Sequence, residues 1–170
     1  MTTLVLTVIG DDRAGLVKAL ADVVDRHGGN WERSHLAEVA GKFAGIVVVE
    51  VPASAAEALQ ADLRPLHGML EVAVHPGSPT PSARREVAVE LVGNDHPGIV
   101  RAVSGVLAEH GLSVAELETS TRDAPMAGGR LFEARALVTV PADDDLSTLR
   151  AALERIASEV LVDLTVVDAP

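Results

Sequence analysis

The chain repeats itself. Reading "GDDRAGLVKALADVVDRHGG" from Gly10 against "GNDHPGIVRAVSGVLAEHGL" from Gly93 needs no gap, and Gly10, Asp12, Gly15, Val17, Ala19, Val23, His27 and Gly28 recur unchanged at the matching positions. Phe43 follows Gly10 by 33 residues and Phe132 follows Gly93 by 39, so the second copy carries a six-residue insertion before the match resumes and brings Pro52 onto Pro141. A repeat of this length is an internal duplication, one structural unit built twice. The 170 residues then divide into two small domains with modest cores. The expected bounds are residues 1–75 and 86–170, with 76–85, rich in Pro, Gly and Ser, as the linker.

Periodicity gives the unit its order. Leu4, Leu6 and Val8 alternate as a half-buried strand, and the pattern changes to helical spacing at Leu16, Leu20, Val23 and Val24 before Gly28 and Gly29 stop the helix. Trp31 to Val39 forms a weaker strand pattern and "FAGIVVVEV" a strong one. Leu59, Leu63 and Leu66 mark a second helix, and Leu70, Val72 and Val74 alternate again. Copy two follows suit with Val87, Val89 and Leu91, then Ile99, Val103, Val106 and Leu107, two strands around 112–121 and 130–140, a helix at Leu149, Leu153 and Ile156, and a last strand at Val162, Leu164 and Val166. The acidic run "ADDDLSTL" reads as the start of that helix, where negative charge is favourable. The order βαββαβ, twice, predicts an α+β protein of two ferredoxin-like domains, each a four-stranded antiparallel sheet with two helices on one face. The open face carries Val5, Ile9, Ile46 and Val48 in copy one and Ala88, Glu90, Val92, Arg135 and Leu137 in copy two. So apolar a face in copy one is expected to be covered by another domain or subunit.

Such a fold decides nothing about function by itself, but composition narrows the field. A formal net charge of -11 opposes contact with phosphate backbones and anionic lipid, so neither nucleic acid nor membrane is an expected partner. The only aromatics are Trp31, Phe43 and Phe132, too few for an RNA-recognition module that stacks bases on its sheet. Cysteine is absent, which removes disulfides, thiolate metal sites and cysteine nucleophiles. The six histidines show neither HxxxH nor HxH spacing, so no metal is expected, and no cofactor is implied. No nucleophile motif such as GxSxG occurs, and Arg13, the residue an acylphosphatase-like site would use, has His96 as its counterpart. The expectation is a non-enzyme. With no basic segment ahead of the short apolar run at the N-terminus, the expected location is the cytoplasm.

What remains is the pair of loops. "GDDRAGL" and "GNDHPGI" each leave a strand and enter a helix, whose N-terminus offers unpaired N–H groups and the positive end of the dipole to a carboxylate. Gly15 and Gly98 remove a Cβ from that approach, and Pro97 suits the first helical turn. Asp11 or Asn94, with Asp12 or Asp95, stands ready for an ammonium group. The same residues also fit an ordinary cap, since Asp before a helix is a common N-cap. His27 and His110 read as cations at helix C-termini.

The duplicated βαββαβ order with "DRAGL" and "DHPGI" at the first strand-to-helix turns resembles the ACT domain, a small-molecule-sensing module of amino-acid metabolism. With "SHLAEVAGKFAGIVVVEV" and "VAELETSTRDAP", the whole chain is similar to the glycine cleavage system transcriptional repressor family of paired ACT domains. The resemblance implies an amino-acid-responsive regulator, binding glycine or serine at interfaces between domains or subunits, forming homo-oligomers and acting on a partner protein that controls transcription. It places ligand contacts on Asp11, Asp12, Arg13, Gly15 and Leu16, on Asn94, Asp95, His96, Gly98 and Ile99, and on Ser34 and His35 of the second strand. Copy one departs from the family pattern at Ala14, where Pro is usual. The second-copy hairpin "TRDAPMAGGR" is polar and Gly-rich, as a partner-binding loop would be. A pure interaction module with degenerate pockets is the alternative.

Overall fold

A computed structural model describes residues 1–78, 84–124, 128–142 and 146–168. The chain separates into two compact units, residues 1–80 and 81–170. Half of the expected linker, the tip of the second hairpin and the three aspartates of "ADDDLSTL" fall outside the described residues.

Unit 1 runs β1 (Thr2–Asp11), α1 (Leu16–Arg26), β2 (Asn30–Val39), β3 (Lys42–Val51), α2 (Ala56–Leu63) and β4 (Glu71–Pro76). Unit 2 runs β5 (Arg84–Asn94), α3 (Ile99–Glu109), β6 (Ser113–Asp123), β7 (Arg130–Pro141), α4 (Ser147–Glu159) and β8 (Val162–Asp168). Each has one four-stranded sheet, ordered β2-β3-β1-β4 and β6-β7-β5-β8, with every pairing antiparallel. The expected fold is the observed one. The second helix of unit 1 is shorter than the Leu59–Leu63–Leu66 spacing predicts: it ends at Leu63 and tightens into a 3-10 turn over Arg64–Gly68. Pro65 supplies the reason, since it has no N–H with which to continue the ladder.

The duplication holds in the pairing itself. Gly10 lies opposite Phe43, and Gly93 opposite Phe132. The β2–β3 ladder shifts register between Trp31 and Arg33, and the β6–β7 ladder between Val114 and Glu116, the same place in the unit. The inserted residues fall in the β6–β7 hairpin. Leu6, Val8, Val47 and Val49 enclose one core with Leu20, Val23, Val24 and Leu59, while Val87, Val89, Val138 and Val140 enclose the other with Val103, Val106, Leu107 and Leu153. Strand alternation therefore turns Val5, Ile9, Ile46 and Val48 to the opposite face. Ile9 and Ile46 are each 49% exposed there.

Candidate functional site

Both first helices begin in the same way. Gly15 (φ 93°) and Gly98 (φ 104°) are the N-caps, left-handed, and no side chain accepts a hydrogen bond from the first turn. A left-handed cap explains why glycine recurs here. The cap reading of the aspartates does not hold, because neither Asp12 nor Asp95 caps its helix. Their backbones do the anchoring instead: the Asp12 N–H donates to the Gly41 carbonyl at 2.9 Å and the Asp95 N–H to the Arg130 carbonyl at 2.8 Å, equivalent bonds that pin each loop to its neighbouring hairpin. Pro97 lies one residue before the cap, not in the first turn as the sequence suggested, because α3 starts only at Ile99. The helices end alike too. Gly28 and Gly111 take the left-handed position after the caps His27 and His110, with 6→1 bonds from Gly29 to Val24 and from Leu112 to Leu107.

A Cβ added at Gly15 or Gly98 would meet nothing within 4 Å, so the approach to each helix N-terminus is open. Asp11, Asp12, Asn94 and Asp95 are exposed beside it. Leu16 and Ile99 are not available to a ligand: at 3% and 2% exposure they are the first core residues of their helices. Gly10 and Gly93 recur for a packing reason, since a Cβ on Gly10 would run into the Met69 carbonyl oxygen and one on Gly93 would press on Val162.

Arg13 and His96 share a role that the sequence did not disclose. The Arg13 guanidinium donates to the Gly68 carbonyl at 3.3 Å, and His96 Nε2 lies 2.7 Å from the Val160 carbonyl. In both units the loop side chain thus meets a carbonyl at the end of the second helical segment, where positive charge is favoured. His96 Nδ1 is also 3.1 Å from the Pro97 carbonyl. These contacts, that to Val160 first and then that to Pro97, hold the imidazole pKa above its ordinary value, with the Asp95 charge adding to them. Asp11 pairs with Lys42, directly opposite on β3. The hydrogen bond and charge of Lys42, aided by Arg13, hold the Asp11 carboxyl below the usual carboxylate range.

Ser34 and His35 stand apart from the loop. Ser34 lies opposite the buried Val47 and so on the helix side, whereas His35 lies opposite Ile46 on the open face. From Asp11, His35 is four residues along the strand direction and two strands across, on the order of 17 Å at ordinary strand spacings. One unit alone does not join them into a single pocket. Lys42 is the residue sequence reasoning missed. Its signal was the "VAGK" turn, where Ala40 (φ 53°) and Gly41 (φ 78°) make the tight reversal that sets Lys42 against Asp11.

Among the described residues no group of His, Asp or Glu is placed to hold a metal ion, and no helix is long and apolar enough to cross a membrane. Family models described as the ACT domain match residues 2–76 and 87–158. The chain is a tandem ACT-domain protein. Across the pair of ACT domains it is 25% identical over 165 residues to the glycine cleavage system transcriptional repressor of Escherichia coli K12, covering 92% of this chain and 85% of that one. A crystal structure of an unknown protein from Galdieria sulphuraria superimposes with a TM-score of 0.89 at 32% identity, covering 99% of both chains. A crystal structure bearing the glycine cleavage repressor name superimposes at 0.71 with 18% identity, covering 99% of this chain and 98% of that one, a likeness of fold. Homology thus assigns the chain to a regulatory class.

Proposed function

We propose that this tandem ACT protein is a non-enzymatic, cytoplasmic sensor of a small amino acid such as glycine or serine, coupled to transcriptional control of glycine cleavage through a protein partner. The observation that carries the reading is the pair of helix N-termini, each opened by a left-handed glycine, free of a capping side chain and flanked by exposed acidic or amide groups. A ligand carboxylate suits the N–H groups and its ammonium suits Asp11, Asp12 or Asp95. Direct contact with nucleic acid has no place in the mechanism, given the net charge of -11.

Sensing requires that the ligand prefer one arrangement of the protein over another, since equal affinity for both shifts nothing. The ACT domains, bounded near residues 75 and 86 with a linker between, supply the two arrangements by associating with a second copy of the chain. Sedimentation of the full chain with and without glycine and serine tests this. An amino-acid-dependent change in mass is expected; an unchanged mass together with unchanged thermal stability would contradict it. A second reading, a docking module with vestigial pockets, is favoured by one observation, the apolar open sheet face around Ile9 and Ile46.

A further inference from the structure

The open face of the unit 1 sheet is complementary to itself. Ile46, Thr7 and Ala73 form one row across β3, β1 and β4, with His35 at its β2 end. Strand alternation puts this row on the side away from the core. The next row on one side holds Val48, Val5 and His75, and the next on the other side holds Ala44, Ile9 and Glu71. A second copy laid face to face, with a two-fold axis along the central row, runs each strand antiparallel to its own counterpart. Ile46 then meets Ile46, Thr7 meets Thr7 and Ala73 meets Ala73, with an imidazole from each copy at the rim. Val48 comes over the partner's Ala44, large on small, and Val5 over the partner's Ile9. These valines enter a depression of about 720 Å³ lined by Thr7, Ile9, Ala44 and Ile46. His75 comes over the partner's Glu71, a ring N–H donor against a carboxylate on each side of the axis. Further out, Lys42, which stays 60% exposed beside Asp11, comes towards the partner's Glu50.

Unit 2 is the control within the same chain. Its equivalent row is Arg135, Glu90 and Thr165, with Glu118 at the β6 end. The same two-fold would set Arg135 on Arg135 and Glu90 on Glu90, like charges that repel. It would also lay Leu137 over Glu133 and Val167 over Asp163, apolar side chains against carboxylates.

We infer that two copies of this chain associate through the open faces of their unit 1 sheets, packed antiparallel about the row Ile46–Thr7–Ala73, and that the open face of unit 2 makes no equivalent contact. This rests on the reading that the chain associates with a second copy, and names the surface that does so. The face measures about 19 Å by 26 Å at ordinary strand spacings, so two copies bury roughly 1,000 Å² together, the lower limit of a specific interface. A dimer of that size forms reversibly, within reach of a ligand that prefers one state.

Sedimentation equilibrium of the full chain over a concentration series, with and without glycine, reads the dimer constant. Ile46→Arg puts on the axis the residue that unit 2 carries there, and is expected to weaken association at least about tenfold. Arg135→Ala, at the equivalent place in unit 2, is expected to leave it unchanged. His75→Glu sets carboxylate on carboxylate and weakens association in turn, and combining it with Glu71→Lys restores it. All these side chains are exposed, and circular dichroism reports whether each variant is folded. A dimer that ignores Ile46→Arg and His75→Glu, that Arg135→Ala weakens equally, or that the double variant fails to restore overturns this packing while self-association stands. A chain that stays monomeric with and without glycine overturns both.

Discussion

Arg13 and His96 occupy one position in the repeat and meet equivalent carbonyls, those of Gly68 and Val160, yet only the histidine titrates near neutrality. A neutral imidazole has one N–H, and His96 faces two carbonyl oxygens; the protonated ring satisfies both. Its folded pKa is raised, so the stabilisation it contributes is complete below the unfolded pKa and is lost as pH rises through the folded one. An NMR titration should place the His96 midpoint above that of a free histidine, and His96→Arg should make this tie independent of pH; a midpoint at or below the ordinary value would contradict the contact. Asp11 behaves in the opposite sense. Its pKa is depressed by Lys42, so the contribution is present above the unfolded value and lost as pH falls through the folded one. Lys42→Leu should move the Asp11 midpoint upward. The identities of these loop residues were legible in the repeat. Their aims were not, because Val160 lies 64 residues from His96 and local pattern carries no information about such a contact.

Turns and caps decide how these elements start and stop. Leu161, just after the C-cap of α4, is left-handed (φ 55°) with its side chain 76% exposed. The first helices of both units place glycine at that point. Leu161→Gly is accordingly expected to stabilise unit 2 by about 0.5–1 kcal/mol in chemical denaturation, whereas no gain would argue that the exposed leucine packs on something. Gly93→Ala is expected to cost about 1–3 kcal/mol by forcing a Cβ onto Val162. A midpoint unmoved by that substitution would show that β5 and β8 yield easily. Most elements were legible because apolar residues fall on strict periods, as at Leu4, Leu6 and Val8. Two details were not. The end of α2 turned on one missing N–H at Pro65, and the start of α3 on a left-handed Gly98 that displaced Pro97 from the helix.

At the scale of the whole molecule, duplication explains the fold, and divergence has changed the loop residues. The alignment that set Gly10 on Gly93 and Phe43 on Phe132 is reproduced in the strand register, which is why the architecture could be read from sequence alone. How the loop of unit 1 is completed could not be read, since Lys42 reaches Asp11 from β3 only through that register. The central claim is that the folded chain recognises a free amino acid. It is tested most directly by thermal unfolding of the purified full chain against a panel of proteinogenic amino acids, with nucleotides as controls. A ligand confined to the folded state stabilises it by about 2.7 kcal/mol at one hundred times its Kd, so the account predicts a midpoint that climbs with the concentration of a small amino acid. A flat panel on protein whose spectrum shows it folded would contradict the account.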